Sequence, residues 1–373
     1  MRVALVHDYL NQYGGAERVL ESFIEIFPSA PIYTLVYNAE AMKGKFFDKE
    51  IRTSFLQKIP FARSHHRIFP ILMPLAIEKF DLSGYDIVVS DSASFGKGVI
   101  TKPETIHICY CHTPPRFAWD DSQKYIKEFS MPKLAKIFIP FFMNYIRVWD
   151  KEAASRVDKF ICNSNFVAQR IKKYYRQDAE IIYPPVDANF FNVKSSENPP
   201  ATNNKTSYFL IVGRLLAYKK FDIAIEAFNK LELSLKIVGD GPEKKKLKNI
   251  ARKNIEFLGE LREEDLRKYY QECQALVFPQ EEDFGIVALE AMACGKPVIA
   301  YQGGGALESV KKGETGMFFN EQTPESLIKA VKEFRPEKFN SQIIRAHALK
   351  FDKEIFKKKI KEFIEKTYYE HRN

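Results

Sequence analysis

Residues 275–305 read ALVFPQEEDFGIVALEAMACGKPVIAYQGGG, and their pattern indicates the fold class. The apolar runs Ala275–Phe278 and Pro297–Ala300 have the length and composition of buried strands. Between them, Phe284–Ala293 is a helical segment of small and apolar residues. A strand, a helix and a second buried strand in succession predict a parallel βαβ unit. The glycines at 303–305 then stand at the next strand-to-helix turn.

The same alternation runs along the whole chain, with helical segments such as Ala16–Phe27 and Phe221–Leu231 between apolar runs. This pattern predicts the α/β class with parallel sheets. The predicted strands are Arg2–His7, Pro31–Val36, Asp86–Ser90, Thr105–Cys111, Val157–Asn163, Glu180–Tyr183, Tyr208–Val212, Leu235–Val238, Ala275–Phe278 and Pro297–Ala300.

One segment, 193–207, is polar, rich in proline and asparagine, and nearly empty of apolar residues, which is a linker composition. It predicts an N-terminal domain over 1–192 and a C-terminal domain over 208–352. The last segment, 353–373, is a basic amphipathic helix with an apolar face. Because the second domain looks complete before it, this helix is expected to pack elsewhere or return to the first domain.

Composition narrows the class of protein. The chain has 373 residues, 45% of them hydrophobic, and a net charge of +9 spread over both halves, which suits an anionic ligand or a membrane surface at least as well as nucleic acid. Five cysteines without disulfide-like spacing fit a reducing cytoplasm. Cys109 and Cys111 beside His112 lack a second ligand pair, so no metal site is expected. Neither a signal peptide nor a membrane-crossing segment is expected.

Glycines and cations mark candidate phosphate sites at three strand-to-helix turns. Gly14-Gly15, Gly213 with Arg214 and Lys219, and Gly303–Gly305 each follow a predicted strand, where backbone N–H groups and a positive helix end attract anions. The alternatives are plain turns and a solvated basic loop.

Two carboxylates and one histidine complete the candidate site. Glu282 stands at the entry of a helix and Glu290 about two turns into it, a pair that suits the hydroxyls of a sugar and a ribose. The alternative is a helix-terminal charge plus a surface glutamate. His112 ends a strand and would face the crevice where α/β proteins bind ligands, unless it is a structural histidine.

These motifs together resemble the GT4 family of retaining glycosyltransferases, which have the GT-B fold of two Rossmann-like domains facing each other across a cleft. The resemblance spans nearly the whole chain and is closest to the O-antigen and polysaccharide mannosyltransferases, through the opening VHDYL…GGAERV and the run EEDFG. The motifs occur in the order Gly14-Gly15, His112-Thr113-Pro114, Pro184-Pro185-Val186-Asp187, GRLxxxK from Gly213, VGDGP from Val238, and the Glu282 to Glu290 pair with EAMACGKPV.

The resemblance implies roles for individual residues. Arg214 and Lys219 would bind the donor diphosphate, Glu282 the donor sugar and Glu290 the ribose, with His112 near the transferred sugar. The terminal helix would cross back onto the first domain. Asp283 and Lys220 stand where the family often has glycine. Further implied donor contacts are Gly14, Gly15, Gly213, Phe257, Leu258, Phe284, Gly285, Ile286, Gly303, Gly304 and Gly305.

The activity implied is retaining, metal-independent transfer of a hexose, mannose from GDP-mannose, to a glycan in surface polysaccharide biosynthesis. The nucleotide sugar is a co-substrate, and no cofactor is expected. The chain contains no Asp-x-Asp metal-diphosphate motif. The alternatives are a UDP-sugar donor, a two-Rossmann nucleotide-sugar epimerase, and a basic nucleic-acid-binding protein.

Two segments of the first domain predict a surface for the acceptor. Residues 132–176 hold 10 Lys and Arg against 3 Asp and Glu, and 58–79 is a second basic stretch, both interleaved with apolar side chains. Such segments suit the anionic surface of a bilayer, so we expect a cytoplasmic enzyme, peripheral at the inner membrane face, that extends a lipid-diphosphate-linked glycan. The alternative is that these apolar residues lie in the core.

Overall fold

The computed structural model describes residues 1–65, 69–120, 133–193 and 207–372. The chain divides into two compact units, the first formed by Met1–Tyr183 with Phe356–Asn373 and the second by Pro184–Ile355. Each unit is a parallel sheet with helices, so the predicted α/β class is confirmed.

The first unit contains seven parallel strands in the order β3-β2-β1-β4-β5-β6-β7. The central strands β1, β4 and β5 are buried at every position, which explains the apolar runs Val3–Val6 and Ile87–Val89 within them. The strands are β1 (Val3–His7), β2 (Ile32–Thr34), β3 (Ile51–Thr53), β4 (Ile87–Ser92), β5 (Ile106–Cys111), β6 (Lys159–Cys162) and β7 (Ala179–Ile181). The helices are α1 (Gly15–Ile26), α2 (Ala62–His65), α3 (Met73–Glu78), α4 (Lys133–Ser155) and α5 (Asn165–Tyr174), with 3-10 turns at Phe55–Lys58 and Gly96–Gly98.

The second unit contains six parallel strands in the order β10-β9-β8-β11-β12-β13. The strands are β8 (Phe209–Val212), β9 (Leu235–Val238), β10 (Ile255–Gly259), β11 (Leu276–Phe278), β12 (Val298–Tyr301) and β13 (Gly316–Phe319). The helices are α6 (Phe221–Leu231), α7 (Lys244–Ile250), α8 (Glu263–Glu272), α9 (Ile286–Ala293), α10 (Ala306–Ser309), α11 (Pro324–Glu333) and α12 (Ser341–Ala348), with 3-10 turns at Ala217–Lys219, Pro336–Lys338 and Leu349–Phe351. The terminal helix α13 (Lys353–Arg372) starts in this unit and belongs to the first unit from Phe356 onward.

Strand order reverses at one point in each sheet, between β1 and β4 and between β8 and β11. In open α/β sheets, ligands bind outside the carboxyl ends of the strands at such a reversal. The loops that follow these four strands are therefore the expected ligand-binding edges of the two sheets.

The division between the units falls before the predicted linker. Arg345 donates hydrogen bonds to the carbonyl oxygens of Ala188 (2.9 Å) and Phe191 (3.0 Å), and Val186 N–H donates to Phe351 O (2.9 Å). These contacts hold the segment after Tyr183 within the second unit. Most of the predicted linker, 194–206, lies outside the described residues.

The terminal helix α13 contributes to the core of the first unit. Phe356, Ile360 and Ile364 are buried there. The Phe356 ring meets those of Phe23 and Tyr110 edge-on, with centroids 5.9 and 5.7 Å apart. Among the described helices, none combines the length and apolar character needed to cross a membrane.

Candidate functional site

In the second unit, the loops after β8 and β9 interlock. Gly213 N–H donates to Val238 O (3.0 Å), and a Cβ on Gly239 would overlap Gly213 O. Gly239 has a φ of +131°, in the region that favours glycine. This close backbone packing fixes the loop that carries Arg214.

Lys219 and Glu282 form an ion pair, although they come from loops after different strands. Their side chains are only 15% and 17% exposed. The amide of Gln280 donates a further hydrogen bond, 3.4 Å long, to the same Glu282 oxygen. The predicted diphosphate-binding cation and the predicted sugar-binding carboxylate therefore lie together at the reversal of strand order.

The glycine run at 303–305 packs against the backbone that carries Glu282 of the Lys219–Glu282 pair. Gly305 N–H donates to Glu282 O (2.9 Å), and a Cβ on Gly304 would overlap the same oxygen. A Cβ on Gly305 would overlap Phe284 Cα. The glycines thus allow two backbone segments to touch, which fixes the position of Glu282.

Helix α9 begins later than its predicted start at Phe284, because Gly285 adopts a φ of +92° and cannot continue a right-handed helix. Inside it, Glu290 is 1% exposed and accepts a 2.8 Å hydrogen bond from the Tyr270 hydroxyl. The carboxylate predicted to contact the ribose is therefore buried in this structure. Ile286 is the first residue of the helix and is partly exposed.

Phe257 and Leu258 lie at the end of the edge strand β10, where the pairing with β9 shifts register. Both are partly exposed, and the ammonium of Lys248 lies 5.8 Å from the centroid of the Phe257 ring. The ring therefore has a cation over one face. The contacts of Phe257 and Leu258 with the donor stay a prediction.

In the first unit, Asp91 joins two histidines. His7 ends β1 and is paired in register with Asp91 on β4, and His112 directly follows β5. Asp91 Oδ2 lies 2.9 Å from His7 Nδ1, and its Oδ1 lies 2.6 Å from His112 Nε2. Asp91 and His7 are buried, and the His112 side chain is 13% exposed.

Glu17 links this cluster to the first glycine turn. Its Oε2 accepts a 2.8 Å hydrogen bond from Gly14 N–H, and its Oε1 lies 3.6 Å from His7 Nε2. The predicted phosphate turn at Gly14-Gly15 and the predicted active-site His112 therefore belong to one connected group.

The charges of this group depend on each other. Burial alone would lower the pKa of His7, but the hydrogen bonds to Asp91 and Glu17 and their negative charges raise it to about 10. Burial would raise the pKa of Asp91, but attraction to His112 and hydrogen bonds from both rings lower it. His7 is therefore an imidazolium and Asp91 a carboxylate at neutral pH.

The loop after His112 is held by its neighbours. Asn163 donates a 2.9 Å hydrogen bond to the carbonyl of His112. Arg170 forms an ion pair with Asp120 and donates to the hydroxyl of Thr113. These contacts hold the chain that follows the His112 ring.

The sequence interpretation missed Asp91, His7, Glu17, Gln280 and Tyr270. A signal for three of them was present, since His7 ends one predicted strand, Asp91 directly follows another, and Glu17 lies three residues after Gly14. Polar residues at the ends of neighbouring parallel strands meet at one edge of a sheet. Across the described ranges, no group of three or more His, Cys, Asp or Glu side chains could hold a metal ion.

The second unit can neutralise a departing diphosphate through Arg214 and Lys219, and Glu282 can accept hydrogen bonds from hydroxyls. The first unit offers a backbone N–H turn and a histidine with a fixed partner. This combination of two α/β units, cations and a hydroxyl-binding carboxylate is typical of enzymes that use nucleoside-diphosphate sugars.

Comparison with known proteins indicates the same class of enzyme. Residues 13–190 match the family model Glycosyltransferase Family 4, and residues 193–348 match Glycosyl transferases group 1. An uncharacterised glycosyltransferase of Methanocaldococcus jannaschii is 25% identical over 370 residues, which cover 96% of this chain and 94% of the relative. The α-1,3/1,6-mannosyltransferase ALG2 of Dictyostelium discoideum is 25% identical over 322 residues, which cover 74% of this chain and 72% of that protein.

The crystal structure of Anabaena HepE in complex with UDP-glucose has the same fold, with a TM-score of 0.71 and 18% identity over 98% of this chain and 100% of that chain. The chain thus belongs to the GT4 family of glycosyltransferases and has the GT-B fold, as its motifs predict.

Proposed function

We propose that this glycosyltransferase moves a hexose from a nucleoside-diphosphate donor to a glycan, with retention of configuration and without a metal ion. The observation that carries the proposal is the Lys219–Glu282 pair, held by the glycine run at the strand reversal of the second unit. A cation for the leaving diphosphate and a carboxylate for sugar hydroxyls adjoin there, as the transfer requires.

The proposed reaction breaks the bond between C1 of the sugar and the diphosphate oxygen. The acceptor hydroxyl forms its bond to C1 on the same face, and its proton passes to the departing phosphate oxygen. Arg214 and Lys219 stabilise the negative charge that develops on the diphosphate. Glu282 binds hydroxyls, so no carboxylate nucleophile is required.

The proposed donor is GDP-mannose. The motif resemblance to polysaccharide mannosyltransferases supports mannose, and so does the Dictyostelium relative, which is a mannosyltransferase. A UDP sugar is the second candidate, because the Anabaena neighbour of the same fold binds UDP-glucose. Membership of a glycosyltransferase family decides against the epimerase alternative.

Retention and metal independence are tested together. The protein is incubated with GDP-α-mannose and excess EDTA, and early NMR spectra record the anomer formed by transfer or by slow donor hydrolysis. We expect the α anomer first, at a rate unchanged by EDTA. A first-formed β anomer contradicts retention, and activity lost with EDTA and restored by Mg²⁺ or Mn²⁺ contradicts the metal-free mechanism.

We also propose that the acceptor is a lipid-diphosphate-linked glycan at the inner membrane face, which makes the protein cytoplasmic and peripheral. On α4, Phe141, Tyr145 and Val148 are 74%, 46% and 58% exposed. Their spacing of four and three residues places them on one side of the helix. Met143 and Ile146 are buried on another side. The helix therefore has an outward apolar stripe in addition to its core face.

The second predicted segment supports the same surface. Ile71 is 61% exposed and Leu75 is 50% exposed. Helices α3 and α4 are linked by a 2.8 Å hydrogen bond from Trp149 Nε1 to Glu78. Residues 66–68 and 132 of the two predicted segments lie outside the described residues.

Flotation with vesicles that contain anionic lipid tests this surface. We expect the protein to float at low salt, and the double variant Phe141→Ser/Val148→Ser to float several-fold less. Leu307→Ser, which changes an exposed apolar residue of the second unit, is the control and should float as the parent does. A parent that stays in solution, with full activity on a soluble glycan, rules out the membrane proposal and leaves the transferase.

A further inference from the structure

The cluster of Asp91, His7 and His112 fixes which nitrogen of His112 carries a proton. An ionised carboxylate only accepts hydrogen bonds, so the Nε2 atom 2.6 Å from Asp91 Oδ1 must be the protonated one. His7 donates to the other Asp91 oxygen from Nδ1 (2.9 Å). Both oxygens of Asp91 are thus occupied by histidine donors.

The remaining nitrogen of His112 faces away from this cluster. Within the described residues, Nδ1 of His112 forms no hydrogen bond, while the other ring nitrogen is bound to Asp91. The side chain is 13% exposed, so the ring edge that bears Nδ1 reaches solvent. In the neutral ring this nitrogen is an acceptor, which suits a hydroxyl and not a phosphate oxygen.

The backbone and ring contacts leave His112 little freedom. Its N–H donates to Ser92 O (2.9 Å), Asn163 donates to its carbonyl, and the Tyr110 ring lies edge-on with centroids 5.2 Å apart. With Nε2 also bound, ring rotation would break the Asp91 hydrogen bond. The direction of Nδ1 is therefore set by the protein before any substrate binds.

We propose that Asp91 is a positioning residue that holds His112 in the Nε2–H tautomer, so that Nδ1 accepts a hydrogen bond from a sugar hydroxyl. His7 supports this arrangement as a second donor to Asp91, and Glu17 Oε1 lies 3.6 Å from the other nitrogen of His7. The substrate part rests on the proposed glycosyl transfer, whereas the tautomer is a property of the protein alone.

The tautomer is tested without substrate by long-range ¹H–¹⁵N NMR of ¹⁵N-histidine-labelled protein at pH 7.5, with His112→Ala identifying the resonances among the seven histidines. We expect His112 to be the Nε2–H form in the parent. In Asp91→Asn, the amide oxygen stays with the His7 imidazolium and the amide N–H faces His112, so His112 changes to the Nδ1–H form. A parent with Nδ1–H, or a variant with an unchanged tautomer, overturns the proposal.

Measurement of kcat then tests whether the contact between Asp91 and His112 matters for the reaction. Asp91→Asn should lower kcat roughly 10- to 100-fold, by analogy with the loss of groups that orient metal-binding histidines. It should have little further effect in the His112→Ala background. Asp86→Asn is the matched control before the start of β4, where the carboxylate binds the chain terminus, and should leave kcat unchanged. Equal losses from Asp91→Asn with and without His112 would show a merely structural role.

The rates of donor hydrolysis and of transfer, measured with Asp91→Asn, show whether the donor sugar or the acceptor sugar supplies the hydroxyl. Loss of both donor hydrolysis and transfer assigns the hydrogen bond to the donor sugar, and loss of transfer alone assigns it to the acceptor. If the parent shows no activity with any nucleotide sugar, the proposed function fails while the NMR result still decides the tautomer.

Discussion

Replacement of Lys219 by methionine tests the chemistry assigned to the second unit. The change keeps most of the side-chain volume and removes the ammonium that pairs with Glu282. If Lys219 stabilises the departing diphosphate, the lost stabilisation is about 2.7–4 kcal/mol, which corresponds to a roughly 10²- to 10³-fold lower kcat.

The same change has a smaller effect on folding. Both side chains of the pair are about one-sixth exposed, at 15% and 17%, so the pair lies between surface and fully buried ion pairs. We expect a cost of about 1–2 kcal/mol, between the ranges for those two classes. For a unit of this size the corresponding fall in Tm is only several degrees, so the loss of activity and the loss of stability are separable.

The assay is steady-state release of GDP from GDP-mannose, with Tm measured on the same samples. Lys220→Met is the matched control, since it makes the same change at the next residue and should lower kcat far less. Arg214→Ala should resemble Lys219→Met.

A double variant distinguishes a catalytic role of Lys219 from a role in holding Glu282 in place. If Lys219 served only to hold Glu282, Lys219→Met would cost nothing more in a Glu282→Gln background. A Lys219→Met enzyme with a kcat within about threefold of the parent, or no further loss in that background, would refute the assignment.

Three further predictions concern stability. Gly305→Ala should destabilise the second unit by about 1–3 kcal/mol in urea unfolding, because its Cβ would overlap Phe284 Cα, whereas Gly84→Ala, with nothing within 4 Å, should not; equal midpoints would contradict this. Lys220→Gly should stabilise by up to about 1 kcal/mol, because Lys220 has a φ of +57°; a lower Tm would contradict it. Burial lowers the pKa of His107 to about 3 from an ordinary 6.5, so its stabilising contribution is present above pH 6.5 and is lost as the pH falls towards 3. His107→Gln should make stability less dependent on pH in that window, and an unchanged dependence would count against the buried neutral ring.

The sequence predicts the central strands of both sheets well because burial on both faces gives apolar runs such as Val3–Val6 and Phe209–Val212. It misses β3, β10 and β13, which are all edge strands. Two of them, β3 and β10, are mostly only partly buried or exposed, so their sequences carry a weaker signal.

The candidate site is predictable only where its residues are close in sequence. Gly213, Arg214 and Lys219 form one motif, and Glu282 with Glu290 another. The Asp91 contacts join residues 84 and 21 positions apart, which depend on strand order and register. The burial of Glu290 against Tyr270 likewise follows from the packing of α8 and α9, which helical spacing alone does not reveal.

The most direct test of the central claim is nucleotide release across a panel of GDP, UDP, ADP and TDP sugars, measured with the parent protein, with Lys219→Met and with Lys220→Met. We expect release from one base class, with GDP-mannose as the best donor, a strong loss in Lys219→Met and near-parent activity in Lys220→Met. Preference for a UDP sugar would refute GDP-mannose as the donor, and the proposed roles of the donor-site residues would remain. Release that is indifferent to Lys219, or absent from every nucleotide sugar with the folded parent, would contradict the proposed donor site itself.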